Sequence, residues 1–280
     1  MTHNLHYQLN KCRLYGSSEL SNVISLSPTP AGNNFLTQLE KSQNDEPVFP
    51  LDVNFCRKCF HLQLGHVVDP DHLFKNYHFV SGTSKVNINH FDDYAEKVIS
   101  RFNLKEGSLI LDVGSNDGTC LKSFQKKGMK VLGVDPADNV AEIANKNGIE
   151  TIADYFNQDL AKYIRENYGV PSLITSHNVL AHIEDFSGVM NAIKTLMDEK
   201  SIFIFEVGYF NDVFDNLWFD TIYHEHLDYH TVSPLKDFFD ANDMNLFDVE
   251  RVDIQGGSIR NFVQLNNGSR KIESSIDELI

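Results

Sequence analysis

The sequence predicts an α/β fold. A doubly wound, Rossmann-like sheet spans residues 85–280, preceded by a small loop-rich module over 1–84. Three observations carry this. Strand-like and helix-like segments alternate between 108 and 207. One strand runs straight into a glycine-containing loop and then a helix. The first 84 residues instead hold scattered Pro and Gly and a Cys-x-x-Cys pair.

In the N-terminal stretch, Pro28, Pro30, Pro47, Pro50 and Pro70, with Gly16, Gly32 and Gly65, divide the chain into turns and short strands. So small a module has a thin core and benefits from a staple. Phe91, Ala95, Val98 and Phe102 sit at helical spacing and predict an amphipathic helix over 85–103. SLILDV then reads as a strand, and LKSFQKKG as a helix ending on Gly128. KVLGVD is the next strand, and NVAEIANKNG a helix ending on Gly148. A short strand TI, a helix QDLAKYIREN, a strand SLITS, a helix DFSGVMNAIKTLM and a strand SIFIFEV follow. This alternation builds βαβ units and a parallel sheet covered on both faces. NLFDVERV and SIRNFVQL predict a closing strand pair.

The 280 residues are 41% hydrophobic and 22% charged, an ordinary globular balance that buries a sizeable core. The net charge of -15 repels phosphate backbones, so nucleic acid is not an expected partner. It does not exclude a small anionic substrate, which one Arg or one helix N-terminus can bind. The opening MTHNLHYQLNKC has no apolar core of a signal peptide, and no run approaches a membrane span. A cytoplasmic location without membrane contact is expected.

The glycine loop lies within ILDVGSNDGTCL, Ile110 to Leu121. Gly114 lets the backbone turn tightly beside a ligand, and the following helix offers free N–H groups. Asp135, 23 residues after Asp112, ends the next strand, where an acid accepts hydrogen bonds from both ribose hydroxyls. The dinucleotide pattern G-x-G-x-x-G is absent. The acids Asp112 and Asp117 suit a cation better than a pyrophosphate, which favours the sulfonium of S-adenosylmethionine. The candidate contacts are Asp112, Gly114, Ser115, Asn116, Asp117, Asp135 and Pro136. Asp154, Tyr155 and Phe156 follow the third strand, where an adenine edge lies, and Asn178 follows the fourth. An ordinary strand–turn–helix corner is the bland alternative; the ordered strand, loop, helix and second acid favour the cofactor.

FDTIYHEHLDYH concentrates Tyr223, His224, Glu225, His226, Tyr229 and His230 within eight positions. A His near neutral pKa is a natural general base, a carboxylate orients it, and Tyr donates to a developing oxyanion. A metal site and a solvated surface stand as alternatives. The metalloprotease pattern needs H-E-x-x-H; here the two His are two apart and would leave a helix on different sides.

Cys56-Arg-Lys-Cys59 has the spacing of a metal knuckle, and Cys12 joins it as a third thiol. Structural zinc takes four ligands. His61 and His66 are near in sequence, while Cys120 lies in the helix of the glycine loop. Zinc with three protein ligands and metal-free packed thiols both remain open.

Taken in order, Cys12, FPLDVNFCRKCFHLQLGH, LFKNYHFVSGTS, LDVGSNDGTCL, VLGVDPADNVA, NVLAHIEDF, FDTIYHEH and QGGSIR resemble the nucleotide-sugar C-methyltransferases, from about residue 10 to 265. That resemblance implies a S-adenosylmethionine methyltransferase domain beside an N-terminal zinc module held by Cys12, Cys56 and Cys59. The implied substrate is a TDP-linked 4-keto-deoxysugar, methylated at a ring carbon in deoxysugar biosynthesis. It implies His226 as the base that removes the proton beside the ketone, generating an enolate. Tyr223 and Glu225 match the supporting positions, and Tyr77 and His182 match further active-site positions. The chain departs from the family at Tyr15, where a cysteine is usual. Family members also continue into a second α/β domain, so a fragment, a short form and half of a two-chain enzyme, with a partner chain supplying that domain, stand as the alternatives. Methylation of an oxygen on a sugar or other small acceptor is the alternative. A truncated cofactor-binding module and a zinc hydrolase acting through HEH are the readings from other classes.

Overall fold

The computed structural model describes residues 5–33, 46–75 and 77–280. The N-terminal module contains β1 (His6–Gln8), β2 (Leu20–Thr29), β3 (Phe49–Cys56), β4 (Leu62–Leu64), β5 (His66–Val68) and α1 (Pro70–Phe74). Phe49, Leu51 and Val53 alternate inward along β3, the pattern of a strand with one buried face. Short strands were the expectation; β1, β4 and β5 match it, but β2 runs for ten residues along the edge. Its side chains are mostly exposed, so it carries no clean apolar period to read.

The helix α2 (Lys85–Phe102) leads into the larger unit. Ser84 caps it by accepting from the Asn87 N–H, and Asn103 ends it in a left-handed turn. Then follow β6 (Leu109–Val113), α3 (Thr119–Gln125), β7 (Lys130–Asp135), α4 (Asp138–Lys146), β8 (Thr151–Ala153), α5 (Gln158–Asn167), β9 (Leu173–His177) and α6 (Phe186–Leu196). The chain closes with β10 (Ile202–Gly208), α7 (Phe210–Asp215), β11 (Asp228–Tyr229), α8 (Val232–Ala241), β12 (Met244–Val252), β13 (Ser258–Leu265) and α9 (Ser275–Glu278). The glycines expected to stop two helices, Gly128 and Gly148, do so with φ of +81° and +80°. The helix α8 lay outside the alternation read from sequence. Its Val232, Leu235, Phe238 and Phe239 form a buried stripe, and Pro234 is tolerated because it falls in the first turn.

The main sheet has seven strands in the order β12-β13-β10-β9-β6-β7-β8. Strands β10, β9, β6, β7 and β8 are parallel, and the closing β12–β13 pair is antiparallel. Chain order reverses at β6, which pairs with β7 on one side and β9 on the other. A crevice therefore opens at the carboxyl ends of these strands. The central strands are buried on both faces, so β10 reads IFIFEV with Glu206 as its one ionisable residue.

The small module is not closed on itself. Its four-stranded sheet, β11-β4-β3-β2, takes β11 from the loop that carries FDTIYHEH.

Phe262 on β13 is wholly buried between Phe102 and Phe247, with the Arg101 guanidinium 4.5 Å above its ring. Phe262→Ala is expected to cost about 3–5 kcal/mol in urea unfolding. A loss under about 1 kcal/mol would contradict this packing.

Candidate active site

A cavity of about 950 Å³ occupies the crevice at the strand ends. One end is built by the glycine loop. Gly114 lines it with φ +76°, and a Cβ there would lie 2.2 Å from Val179 Cγ2. Only glycine fits that backbone and that approach. Asn116 donates its N–H to Asp135 Oδ2 (2.8 Å), and Ala137 donates to Asp135 Oδ1 (2.9 Å). Burial pushes the Asp135 carboxyl up, and these two N–H groups partly oppose that. Each oxygen keeps acceptor capacity, and Asp135 lines the cavity, as a ribose diol needs. Pro136, Phe156, Tyr155 and Asn178 complete this end. The Tyr155 hydroxyl also donates to Asp71 (2.9 Å), tying α1 to the end of β8.

Four expected cofactor residues lie outside the lining. Asp112 is buried, and burial plus the Asp135 charge push its carboxyl well up. Ser115 is buried against Gly133. Asp117 accepts from the N–H groups of Gly82 (3.0 Å) and Thr119 (3.2 Å) and from the Thr119 hydroxyl (2.6 Å). Asp154 is exposed. Asp117 is thus engaged by the Gly82 turn and the start of α3, Asp112 keeps an unpartnered buried Oδ1, and the acid of this loop system that lines the cavity is Asp135.

The other end belongs to FDTIYHEH. A short 3₁₀ turn, Phe219–Thr221, is followed by irregular chain, so neighbouring side chains diverge. His224 packs on Phe49 and lies 3.2 Å from its carbonyl. Glu225 accepts from Asn33 at Oε1 (2.8 Å), and its Oε2 is buried without a partner. Tyr223 and His226 line the cavity with Tyr77 and His182. The divergence separates the two His of HEH, and among the described residues they share no metal-type cluster.

His226 Nδ1 is 2.9 Å from the Thr221 carbonyl. A carbonyl only accepts, so Nδ1 carries the proton and Nε2 presents a lone pair, 3.2 Å from the Tyr223 hydroxyl. Burial pushes the His226 pKa down, with Thr221 opposing. His182, its ring centroid 5.2 Å away, is pushed down to about 3 by burial and by His226. Burial and the Glu225 charge push both Tyr77 and Tyr223 up. The wall therefore presents neutral imidazoles and neutral phenols.

A further cluster was not singled out from sequence. Glu206 sits 2.7 Å from Arg260 and 2.7 Å from His90, with His177 at 3.2 Å. Burial opposes its ionisation, but His177, His90 and Arg260 outweigh that and hold it well below the usual carboxylate range. A lone acid in an otherwise apolar strand was the available signal.

The thiols of Cys12, Cys56 and Cys59 converge, with all three sulfurs within 4.8 Å of one another. All are buried, and the Tyr15 N–H points to Cys12 Sγ at 3.4 Å. This soft, converging donor set fits zinc. The module reaches the FDTIYHEH loop through Arg13, next to Cys12. Its guanidinium donates to the carbonyls of Leu64 (3.2 Å) and Leu227 (3.0 Å), the latter directly after His226. It lies 3.7 Å from Asp228, whose carboxylate is also 2.7 Å from His61.

The fold is a Rossmann-like α/β sheet whose cavity at the switch point is lined by the glycine loop and Asp135 at one end and by His182, Tyr223 and His226 at the other. The chain belongs to the methyltransferase family: residues 88–249 match the "Methyltransferase domain" model. Residues 12–74 match a model described as "Putative zinc binding domain". C-methyltransferase NovU of Streptomyces niveus is 33% identical over 272 residues, covering 97% of this chain and 64% of that protein. The chain thus spans under two thirds of that relative's length. Ubiquinone biosynthesis O-methyltransferase of Vibrio parahaemolyticus is 28% identical over 93 residues, 32% of this chain and 40% of that protein. Among solved structures, plantazolicin methyltransferase BpumL, with a pentazolic desmethylPZN analog and SAH, gives a TM-score of 0.51 at 14% identity. It covers 65% of this chain and 86% of its own. Plantazolicin methyltransferase BamL gives 0.51 at 14% identity, covering 66% and 86%. These two likenesses bear out the fold. Among the described residues no helix is long and apolar enough to cross a membrane.

His230, beside His61 and Phe186, is pushed down to about 4 from 6.5 by burial, against the Asp228 charge. Below about pH 6.5 the unfolded chain takes up a proton that the folded imidazole refuses. Stability is thus full above that pH and falls towards pH 4 by on the order of 3 kcal/mol. Urea midpoints measured from pH 7.5 to 4.5 check it: His230→Gln should show a shallower loss than wild type. Parallel profiles would refute the assignment.

Proposed function

We propose that this chain is a S-adenosylmethionine-dependent C-methyltransferase acting on a nucleotide-linked 4-keto-deoxysugar. The observation that carries the reading is His226, a neutral imidazole with its Nε2 lone pair on the wall of the cavity that Gly114 and Asp135 begin. The relation to a C-methyltransferase over 97% of the chain supports it. The sugar-nucleotide substrate rests on the motif resemblance, and a cavity of about 950 Å³ leaves room for cofactor and acceptor together.

The residues that would hold the cofactor are Gly114, Asn116, Asp135, Pro136, Tyr155, Phe156 and Asn178, with Asp112, Ser115, Asp117 and Asp154 supporting the loops that carry them. S-adenosylmethionine, when bound, supplies an electrophilic methyl group. His226 Nε2 takes the proton from the carbon beside the ketone, while the Thr221 carbonyl keeps Nδ1 protonated. Tyr223 stays neutral and donates to the ketone oxygen as negative charge grows there, with the neutral Tyr77 phenol beside it on the wall. Glu225 is held by Asn33, and burial together with its nearby charge keeps both phenols protonated. His182 closes the wall beside His226 as an uncharged ring. Zinc on Cys12, Cys56 and Cys59 would stiffen the turn from which Arg13 reaches the base loop.

Incubation with methyl-labelled S-adenosylmethionine and a panel of nucleotide 4-keto-sugars should place label on a ring carbon. His226→Ala should lower transfer by about 10²–10⁴-fold. Label on oxygen, or no transfer to any keto sugar, would sink the reading.

Asp135→Ala should weaken cofactor binding by at least about tenfold in calorimetry, since two hydroxyl contacts are removed. An unchanged Kd would place the ribose elsewhere.

A further inference from the structure

We infer that the cysteine cluster is a three-thiolate metal site whose fourth coordination position is left to an exogenous ligand. The inference rests on the zinc reading of the module and not on methyl transfer.

Two turns of the chain build the cluster, and they have the same backbone. In Cys12–Gly16 the Gly16 N–H donates to the Cys12 carbonyl (2.8 Å); in Cys56–Phe60 the Phe60 N–H donates to the Cys56 carbonyl (2.9 Å). The first N–H of each turn is taken by the carbonyl five residues on, Cys12 to Ser17 and Cys56 to His61, both at 2.8 Å. The fifth residue of each is left-handed, with φ +69° at Gly16 and +65° at Phe60. A phenylalanine is strained in that conformation, so the turn geometry is imposed there at a cost of about 1–2 kcal/mol.

The equivalence fixes what is missing. The fourth residue of the second turn is Cys59, whose sulfur lies 3.5 Å from Cys12 Sγ. The fourth residue of the first turn is Tyr15. Its backbone is at the cluster, with the N–H 3.4 Å from Cys12 Sγ, yet its side chain is turned outward and 62% exposed. The three cysteines are at most 5% exposed.

No other side chain takes the position among the described residues. Cys120 is buried beside His177, under the glycine loop. His61 has its Nε2 on Asp228 at 2.7 Å and is not part of the converging group. Zinc in thiolate surroundings takes four ligands, so a metal held here completes its shell with water or a small thiol or other soft anion. The exposed place of Tyr15 gives that ligand its path.

The test uses the reduced full chain loaded with one equivalent of Co(II) or Zn(II), as wild type, Tyr15→Cys, Tyr15→Ser and Cys120→Ser. Adding 2-mercaptoethanol should strengthen the thiolate-to-cobalt charge-transfer band of wild type by about a third, as three thiolates become four. Tyr15→Cys should start at the higher intensity and not respond. It should also hold zinc at least about tenfold more tightly against a chromophoric chelator. Tyr15→Ser and Cys120→Ser should behave as wild type. A wild-type spectrum that ignores added thiol, or folded wild type that binds no stoichiometric metal, overturns the inference without using Tyr15→Cys. Tyr15→Cys folding normally but binding zinc no more tightly also overturns it.

Discussion

The buried meeting of Arg13 with Asp228 is the constraint on which the site depends. Arg13 neighbours a thiol of the cluster, and Asp228 opens the strand β11 that leaves the base loop. Neither charge survives burial alone. Burial weakens Arg13's hold on its proton while Asp228 restores it, and Arg13 with His61 keeps Asp228 ionised against its own burial. The guanidinium also satisfies the carbonyls of Leu64 and Leu227. The Leu227 N–H in turn donates to the Ala181 carbonyl (2.7 Å), next to His182. One buried pair thus fixes the cysteine turn, the base loop and the loop after β9 relative to each other.

That arrangement explains why β11 joins the small module's sheet. A loop carrying FDTIYHEH has few apolar anchors of its own, and its 3₁₀ turn is exposed at Phe219. Two strand pairings, Asp228 with Gln63 and Tyr229 with Leu62, give it a register. The module clamps the FDTIYHEH loop, since Arg13 beside Cys12 bonds the Leu227 carbonyl and β4 pairs with β11.

Much of this was legible in the sequence, for physical reasons that differ by region. The strands KVLGVD and SIRNFVQL and the helix QDLAKYIREN lie where periodicity put them, because continuous apolar runs and capped amphipathic stripes announce buried strands and surface helices. The cavity gathers Gly114, Asp135, Tyr223 and His226 from segments far apart in the chain, because loops after parallel strands end on one edge. The long edge strand β2 was hidden, since an exposed strand need not alternate. The partnership of Glu206 with Arg260, and of Arg13 with Asp228, was hidden too: long-range ion pairs leave no local period. Asp117 accepts from the Gly82 and Thr119 N–H groups, contacts between loops that leave no local pattern to read, while Asp112 is buried with its Oδ1 unpartnered.

The cavity's chemistry follows from burial more than from charge. On a chain of net charge -15, the four rings at the FDTIYHEH end are held neutral although the ionised Asp228 also lines the cavity: the imidazoles of His182 and His226 by pKa values pushed down, the phenols of Tyr77 and Tyr223 by values pushed up. A neutral imidazole is available as a base at neutral pH, but burial makes it a weak one, because its protonated form is poorly solvated. Proton removal from a carbon acid is then feasible only if the negative charge it creates is stabilised at once and close by. In the proposed reaction Tyr223 would serve this role, since its hydroxyl lies at Nε2 of His226 and could turn to an oxygen once the lone pair takes the proton. The imidazolium and the oxyanion then form as a pair in the same low-dielectric space, each offsetting the cost of the other. A single charged acid in place of either group would lack that compensation, which is a physical reason for a neutral His–Tyr pair at this wall.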